Sequence, residues 1–192
     1  MPGLAEALAG EVLDVAPRLL GAVLRHGEVA VRLSEVEAYG GALDPGSHAF
    51  RGRTPRTAVM FGPAGRLYVY FTYGMHYCCN VVVGEEGRAA AVLLRAGEVV
   101  DGRDIARERR RGGDRDLARG PARLCQALAI DLSHNGVDLS TGDLVLEPGE
   151  PAGPVRTGPR VGLREAADRP WRFWVAGDPS VSAYRRSPRA PR

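Results

Sequence analysis

Apolar and polar positions recur along this chain with periods that predict most of its elements. From residue 4 to 13, apolar side chains fall at Leu4, Ala5, Leu8, Ala9, Val12 and Leu13, the stripe of an amphipathic helix. Pro17 suits the first turn of a second helix through Leu19, Leu20, Val23 and Leu24, which His26-Gly27 would end. Residues 29–36 then switch to a period of two. Val29, Val31 and Leu33 share one face, and Ala30, Arg32 and Ser34 the other. Continuing that phase puts Glu35, Glu37 and Tyr39 on the apolar face. A carboxylate is costly to bury there unless it is paired or used, so one of Glu35 and Glu37 is expected to face a cleft.

Residues 40–56 form a long connection rich in Gly, Pro, Asp and Ser, a length at which loops tend to be functional. It carries His48, Phe50, Arg51, Arg53, Pro55 and Arg56, a set able to follow a phosphate backbone. Leu67, Val69 and Phe71 alternate with Tyr68, Tyr70 and Thr72, and Tyr73-Gly74 breaks the run. A second apolar run, residues 78–83, follows and contains Asn80. This reads as a β-hairpin with an aromatic at its tip. A tip tyrosine buries little of its own surface, which suits contact with something flat or stacked; simple packing on a neighbouring helix accounts for it equally well.

Residues 89–96 form another buried strand. Arg95 near its end wants an anion, and Glu37 is the obvious partner if the strands adjoin. The charged run 100–119 reads as solvated surface, with 109–113 as a mobile loop. Gly120-Pro121 opens a helix over 122–130, whose free amides suit a phosphate. Short strands are expected at 144–147, 160–163 and 171–175. There are no internal repeats and no regular βαβ units. The fold class is mixed α/β (α+β): one compact domain over 1–186 with a curved, largely antiparallel sheet, surrounding helices and a protruding hairpin. The basic tail 187–192 is expected to be disordered.

Composition narrows the chemistry. The 192 residues are 44% hydrophobic, enough for one cored domain. No window approaches 18 apolar residues, and the first eleven residues carry no basic side chain, so neither a membrane span nor a secretory signal is expected. Three cysteines, two of them adjacent, make no disulfide framework, and the expected location is the cytosol. The net charge of +3 is compatible with a polyanionic partner. All 26 basic residues are arginine, so Schiff-base chemistry has no lysine to use. His26, His48, His76 and His134 are scattered, and no metal or other cofactor is expected. Cys78 and Cys79 lie in an apolar strand where thiols are usually inert. A Gly-x-Ser-x-Gly elbow is absent. What remains is a carboxylate, an arginine that can hold it, several aromatics and basic loops. That set suits a stacked, electron-poor ring and water-assisted hydrolysis.

Several separated motifs carry a resemblance: 34–39 (Ser-Glu-Val-Glu-Ala-Tyr), Ser47-His48, 51–56 (Arg-Gly-Arg-Thr-Pro-Arg), 67–75, Asn80, 92–96 (Val-Leu-Leu-Arg-Ala), and Gly120-Pro121 with 124–128 (Leu-Cys-Gln-Ala-Leu). In order and spacing, over about residues 18–181, the chain resembles the alkyladenine type of DNA-3-methyladenine glycosylase. The resemblance implies a monomeric, metal-free, monofunctional DNA repair hydrolase acting on damaged purines in double-stranded DNA. By motif, Glu37 matches the general base, and Arg95 an arginine that helps hold it and its water. The Val161 carbonyl matches a further holder of that water. Tyr39, His48 and Tyr70 match the walls around a flipped base, and Asn80 an amide that crowds out the exocyclic amine of guanine. Tyr73 matches the wedge that fills the gap in the duplex, with Met75 and His76 beside it in the groove. Arg51, Arg53 and Arg56 are assigned to phosphates. Thr57 and Arg66 depart from the family pattern at positions that bear on phosphate contacts. Two rivals stay open on the residues alone: a module that binds nucleic-acid damage without cutting, and a small RNA-binding or formyl-transferring domain.

Overall fold

The computed structural model describes residues 4–72 and 74–190. Its centre is an antiparallel sheet with eight strands among the described residues. They are β1 (Val23–His26), β2 (Val29–Tyr39), β3 (Leu67–Thr72), β4 (His76–Val82), β5 (Ala91–Asp101), β6 (Leu144–Glu147), β7 (Val155–Gly158) and β8 (Arg172–Val175). The main path runs β3-β4-β5-β2-β1-β6. β2 is long enough to divide its second edge: residues 29–32 pair with β1, and 35–37 pair with β8, which in turn carries β7. Among the described residues, four short helices flank the sheet: α1 (Leu4–Ala7), α2 (Val12–Val15), α3 (Arg103–Arg109) and α4 (Pro121–Ala127). One large hydrophobic cluster joins α2 and α4 to the inner face, through Val12, Leu124, Cys125, Val36, Val81 and Leu94. The mixed, largely antiparallel architecture is the one the periodicities predict.

The hairpin protrudes because β5 pairs with β4 only at residues 80–82, leaving the tip half of β3–β4 beyond the sheet. Pairing between β2 and β5 also contains three irregularities, one between Ala30 and Val31 and two compensating ones around Glu35. Leu33 pairs with Gly97, Glu35 with Ala96 and Val36 with Leu94, so Ser34 and Arg95 are left out of register. Such bulges re-aim side chains next to functional sites.

The N-terminal expectations change most. The stripe over 4–13 is split into α1 and α2, with Gly10 between them at φ 113°. The expected second helix is a 3-10 turn, Ala16–Leu19, followed by strand β1. Gly21 explains the break. It adopts φ 86°, its N–H donates to the Leu33 carbonyl at 2.8 Å, and a Cβ there would lie 2.0 Å from the Glu150 carbonyl oxygen. Strand pairing and close backbone approach therefore override the apolar spacing. His26-Gly27 turns a hairpin into β2, with Gly27 at φ 57°, rather than capping a helix. Residues 103–109 are helical, so Arg109 belongs to α3; its side chain donates to the Ala127 carbonyl at 2.7 Å. The late strand is Val155–Gly158, while Val161-Gly162 forms a turn. The tail is described as far as Ala190, where Ala190 N–H meets the Ser187 carbonyl; Pro191 and Arg192 lie outside the described residues.

Candidate active site

Antiparallel register lays one row of side chains across five strands. Tyr68 on β3 faces Asn80 on β4, Asn80 faces Leu93 on β5, Leu93 faces Glu37 on β2, and Glu37 faces Arg172 on β8. Paired positions share a face of the sheet. Above this row lies a cavity of about 240 Å³, whose lining includes Tyr39, His48, Tyr68, Tyr70, Asn80 and Arg95, together with Ser47, Cys78 and Val161-Gly162. That volume is just below the ~300–1,000 Å³ common for small-molecule sites, and suits one compact, flat ring system.

Glu37 is fully buried directly beneath the lining. The Tyr39 hydroxyl, two residues on and so on the same strand face, donates to its Oε2 at 2.8 Å. The Val161 N–H donates to Oε1 at 2.6 Å, and Arg95 Nε stands 3.5 Å from Oε1. Three residues that line the cavity thus touch the carboxylate. Val161 does so through its N–H, a contact separate from the carbonyl that the resemblance assigns to the water. Burial first, and then the Glu37 charge, push the Tyr39 hydroxyl well above its ordinary value, so it stays a proton donor.

Arg95 has a nearer partner than the expected Glu37. Its Nε–H donates to Glu35 Oε1 at 2.8 Å. Arg172 Nε–H reaches the same oxygen at 2.7 Å, and Ser182 meets Glu35 through its N–H at 2.6 Å and its hydroxyl at 3.0 Å. Burial pushes the Glu35 carboxyl up, but Arg95, Arg172 and these hydrogen bonds outweigh it and hold it below its ordinary value. Both glutamates are therefore inward, and each has an arginine to match it.

The aromatic wall is built from the loop and the hairpin. His48 Nδ1 shares a hydrogen bond with the Tyr68 hydroxyl at 3.1 Å, and its ring meets Tyr70 edge-on at 4.5 Å between centroids. Arg56 lies 5.5 Å over the Tyr70 ring, which places it at the pocket mouth. The outer edge of His48 is exposed, yet burial of its inner side, followed by the Arg56 charge, lowers its imidazole to about 4. A neutral imidazole there would not repel a cationic ring. Asn80 is buried, and its side-chain N–H donates to the Tyr68 carbonyl at 3.1 Å, fixing the amide in the wall. Cys78 also lines the cavity, but burial pushes its thiol up to about 11, which argues against a nucleophile.

His48 carries a testable consequence. Its folded value lies below that of the unfolded chain, so the unfolded state takes the proton first. Stability should be full above about pH 6.5 and should fall as the pH drops toward 4. We expect a nuclear magnetic resonance titration of His48 to show a midpoint near 4, and His48→Gln to flatten the acid decline. A midpoint near 6.5 would contradict this packing.

Two residues that periodicity did not single out frame the pocket. Arg160 is fully buried and grips Asp44, likewise buried, with both terminal nitrogens, at 2.5 and 2.7 Å. Asp44 also accepts the N–H groups of Gly40 and Gly46. Arg160 donates to the Ala38 carbonyl and lies 4.7 Å over the Tyr39 ring. This pair ties the loop that carries Ser47-His48 to the turn that carries Val161. Asp44 in Asp-Pro-Gly reads as a turn former, but nothing in the sequence points to a partner 116 residues away.

The expected interface residues are more dispersed. Arg51 and Arg53 are exposed and make no ion pair among the described residues. Met75 at the hairpin tip is 66% exposed, and Phe71 is also open to solvent. His76 starts β4, and its Nδ1 has no hydrogen-bond partner. Tyr73 lies outside the described residues. In the 103–119 region, Arg103 pairs with Glu98, Arg107 with Asp104 and Asp114, and Arg119 with Asp116. No group of three or more metal-ligating side chains occurs, and no helix is long and apolar enough to cross a membrane, among the described residues.

A family model described as methylpurine-DNA glycosylase matches residues 6–179. Similar proteins span nearly the same length. One from Nocardia farcinica is 57% identical over 97% of this chain and 93% of its own. One from Streptomyces avermitilis is 54% identical over 94% and 90%, and one from Frankia casuarinae is 55% identical over 94% and 92%. Each is named "Putative 3-methyladenine DNA glycosylase". With the match covering almost the whole chain, and with a buried carboxylate beneath an aromatic pocket of base size, this protein belongs to the methylpurine-DNA glycosylase family.

Proposed function

We propose that this protein removes alkylated or deaminated purines from duplex DNA by hydrolysing the N-glycosidic bond. The observation that carries the reading is Glu37: a buried carboxylate held by Tyr39, Val161 and Arg95 directly under a pocket walled by tyrosines. Glu37 takes a proton from water as the water oxygen bonds to C1′ of the sugar. The C1′–N bond breaks, and its electrons leave with the purine. Carboxylate charge beside the developing oxocarbenium favours the transition state. A 3- or 7-alkylated purine is cationic, leaves as a neutral base, and stacks well on Tyr39 and Tyr70. Little acid catalysis is then needed. The product is an abasic site, and without lysine the chain follows a monofunctional course.

A base inside a duplex must first be extruded to reach such a pocket. Tyr39, His48 and Tyr70 enclose it, and Asn80 narrows the wall against a guanine amine. Tyr73 fills the gap, with Met75 and His76 in the groove. Arg51 and Arg53 meet phosphates from the loop, while Arg56 joins the pocket mouth. The protein acts as a monomer on double-stranded DNA.

The direct test is release of free purine from methylated duplex, with strand cleavage appearing only after alkali. Lesion binding without base release would leave a damage-binding module instead. Two further results are expected. Tyr73→Ser should weaken lesion-duplex affinity more than it slows single-turnover release; equal losses would count against the wedge. Salt should weaken binding steeply, and Arg51→Ala with Arg53→Ala should lower the log–log salt slope by about two. The 103–119 arginines contribute less, because acids of the protein already neutralise several of them. An unchanged slope in the double variant would remove the loop from the interface.

A further inference from the structure

We propose that Glu35 is a positioning residue of the active site: it anchors Arg95 by the Nε–H and so holds the guanidinium at a stand-off from Glu37. The inference rests on reading Glu37 as the base. Arg95 Nε lies 2.8 Å from Glu35 Oε1 but 3.5 Å from Glu37 Oε1. Two acids compete for one donor, and Glu35 takes it. The outcome matters because Glu37 Oε1 already accepts the Val161 N–H, and Oε2 the Tyr39 hydroxyl. If Arg95 closed on Glu37 in the usual bidentate fork, the lone pairs left for a water proton would be filled. Arg95 held at 3.5 Å still lends charge to the site without filling the carboxylate.

Glu35 is itself held too firmly to drift. It is fully buried on β2, receives Arg172 from β8 on the opposite flank, and is clamped by the Ser182 N–H and hydroxyl. Arg172 in turn donates to the Ser182 carbonyl at 2.9 Å. The out-of-register position of Arg95 on β5 lets its side chain meet Glu35 while still lining the pocket. The C-terminal segment around Ser182, remote in sequence from the pocket motifs, thereby bears on the geometry of Glu37.

The bland alternative is that Glu35 only neutralises Arg172. The two roles separate in the charge-balanced variant. Glu35→Gln alone, and Glu35→Gln combined with Arg172→Gln, are compared with wild type for single-turnover base release, lesion-duplex dissociation constant and thermal unfolding. We expect the double variant to unfold cooperatively and bind lesion duplex as wild type does, yet release base ~10- to 100-fold more slowly, the scale of a misplaced catalytic group. A double variant with wild-type release would overturn the proposal, as would parallel losses of binding and rate. If neither variant folds, Glu35 serves fold stability and the proposal also fails. Wild type that releases no base would instead sink the glycosylase reading, so the two failures are distinguishable.

Discussion

Glu37→Gln is expected to release base from methylated duplex ~10²- to 10⁴-fold more slowly than wild type, the range a general base contributes. Lesion affinity should persist, because the pocket walls are other residues: Tyr39, His48, Tyr70 and Asn80. Glutamine keeps an oxygen to accept the Val161 N–H, whose 2.6 Å bond orients residue 37. The buried set of Glu35, Glu37, Arg95 and Arg172 then loses one negative charge and its balance, so some loss of stability accompanies the substitution. Circular dichroism and thermal unfolding show whether the fold survives, and release is measured at a temperature where it does. Folded Glu37→Gln with wild-type turnover would end the assignment of Glu37 as base.

Asp44→Ala should be the most destabilising single change in the site. It strands a fully buried Arg160 guanidinium, which retains the Ala38 carbonyl at 2.9 Å and the Ala166 carbonyl at 3.4 Å but no counter-charge at hydrogen-bond distance. Breaking one side of a buried pair costs about 3–5 kcal/mol, a fall in Tm of roughly 6–20 °C for a chain of this size. The Gly40 and Gly46 N–H groups lose their acceptor as well. Because Asp44 joins the His48 loop to the Val161 turn, base release should decline even where the variant remains folded. Arg160→Met added to Asp44→Ala should recover part of the stability by removing the stranded charge, while leaving the loops untied. Asp44→Ala unfolding within about 1 kcal/mol of wild type would show that the pair holds little.

Period-two alternation predicts β2 and the hairpin β3–β4, but it puts Glu35, Glu37 and Tyr39 on the face of Val29, Val31 and Leu33. The bulge at Ser34 shifts the phase, so Val36 and Ala38 continue the core and Glu37 and Tyr39 turn to the pocket side. The signal lies in residue type rather than in exposure, because β2 is buried almost throughout while its side chains still alternate in polarity. Helical spacing misled near the N-terminus. There Gly10 and Gly21 adopt positive φ, and Gly21 approaches the 149–151 backbone too closely for any side chain. A glycine's conformation is decided by what it packs against, which the apolar pattern does not contain. Residues 160–163 suggest a strand but form a turn at Val161 for a related reason: its role depends on Arg160 reaching Asp44 across the fold.

The hydrophobic pattern and the motifs by themselves determined the fold class, a buried carboxylate at residue 35 or 37, the hairpin and the family. Each of these rests on local periodicity or on residue identities at fixed spacing. Only the tertiary structure decided which charges meet. Arg95 was expected on Glu37, and sheet register with two offset bulges gives its nearest contact to Glu35 instead. Arg172, Ser182, Asp44 and Arg160 entered the site the same way, through pairings between distant segments. An ion pair is a statement about distances of a few ångströms. Those distances are set by how strands align and loops close, which no single stretch of chain encodes.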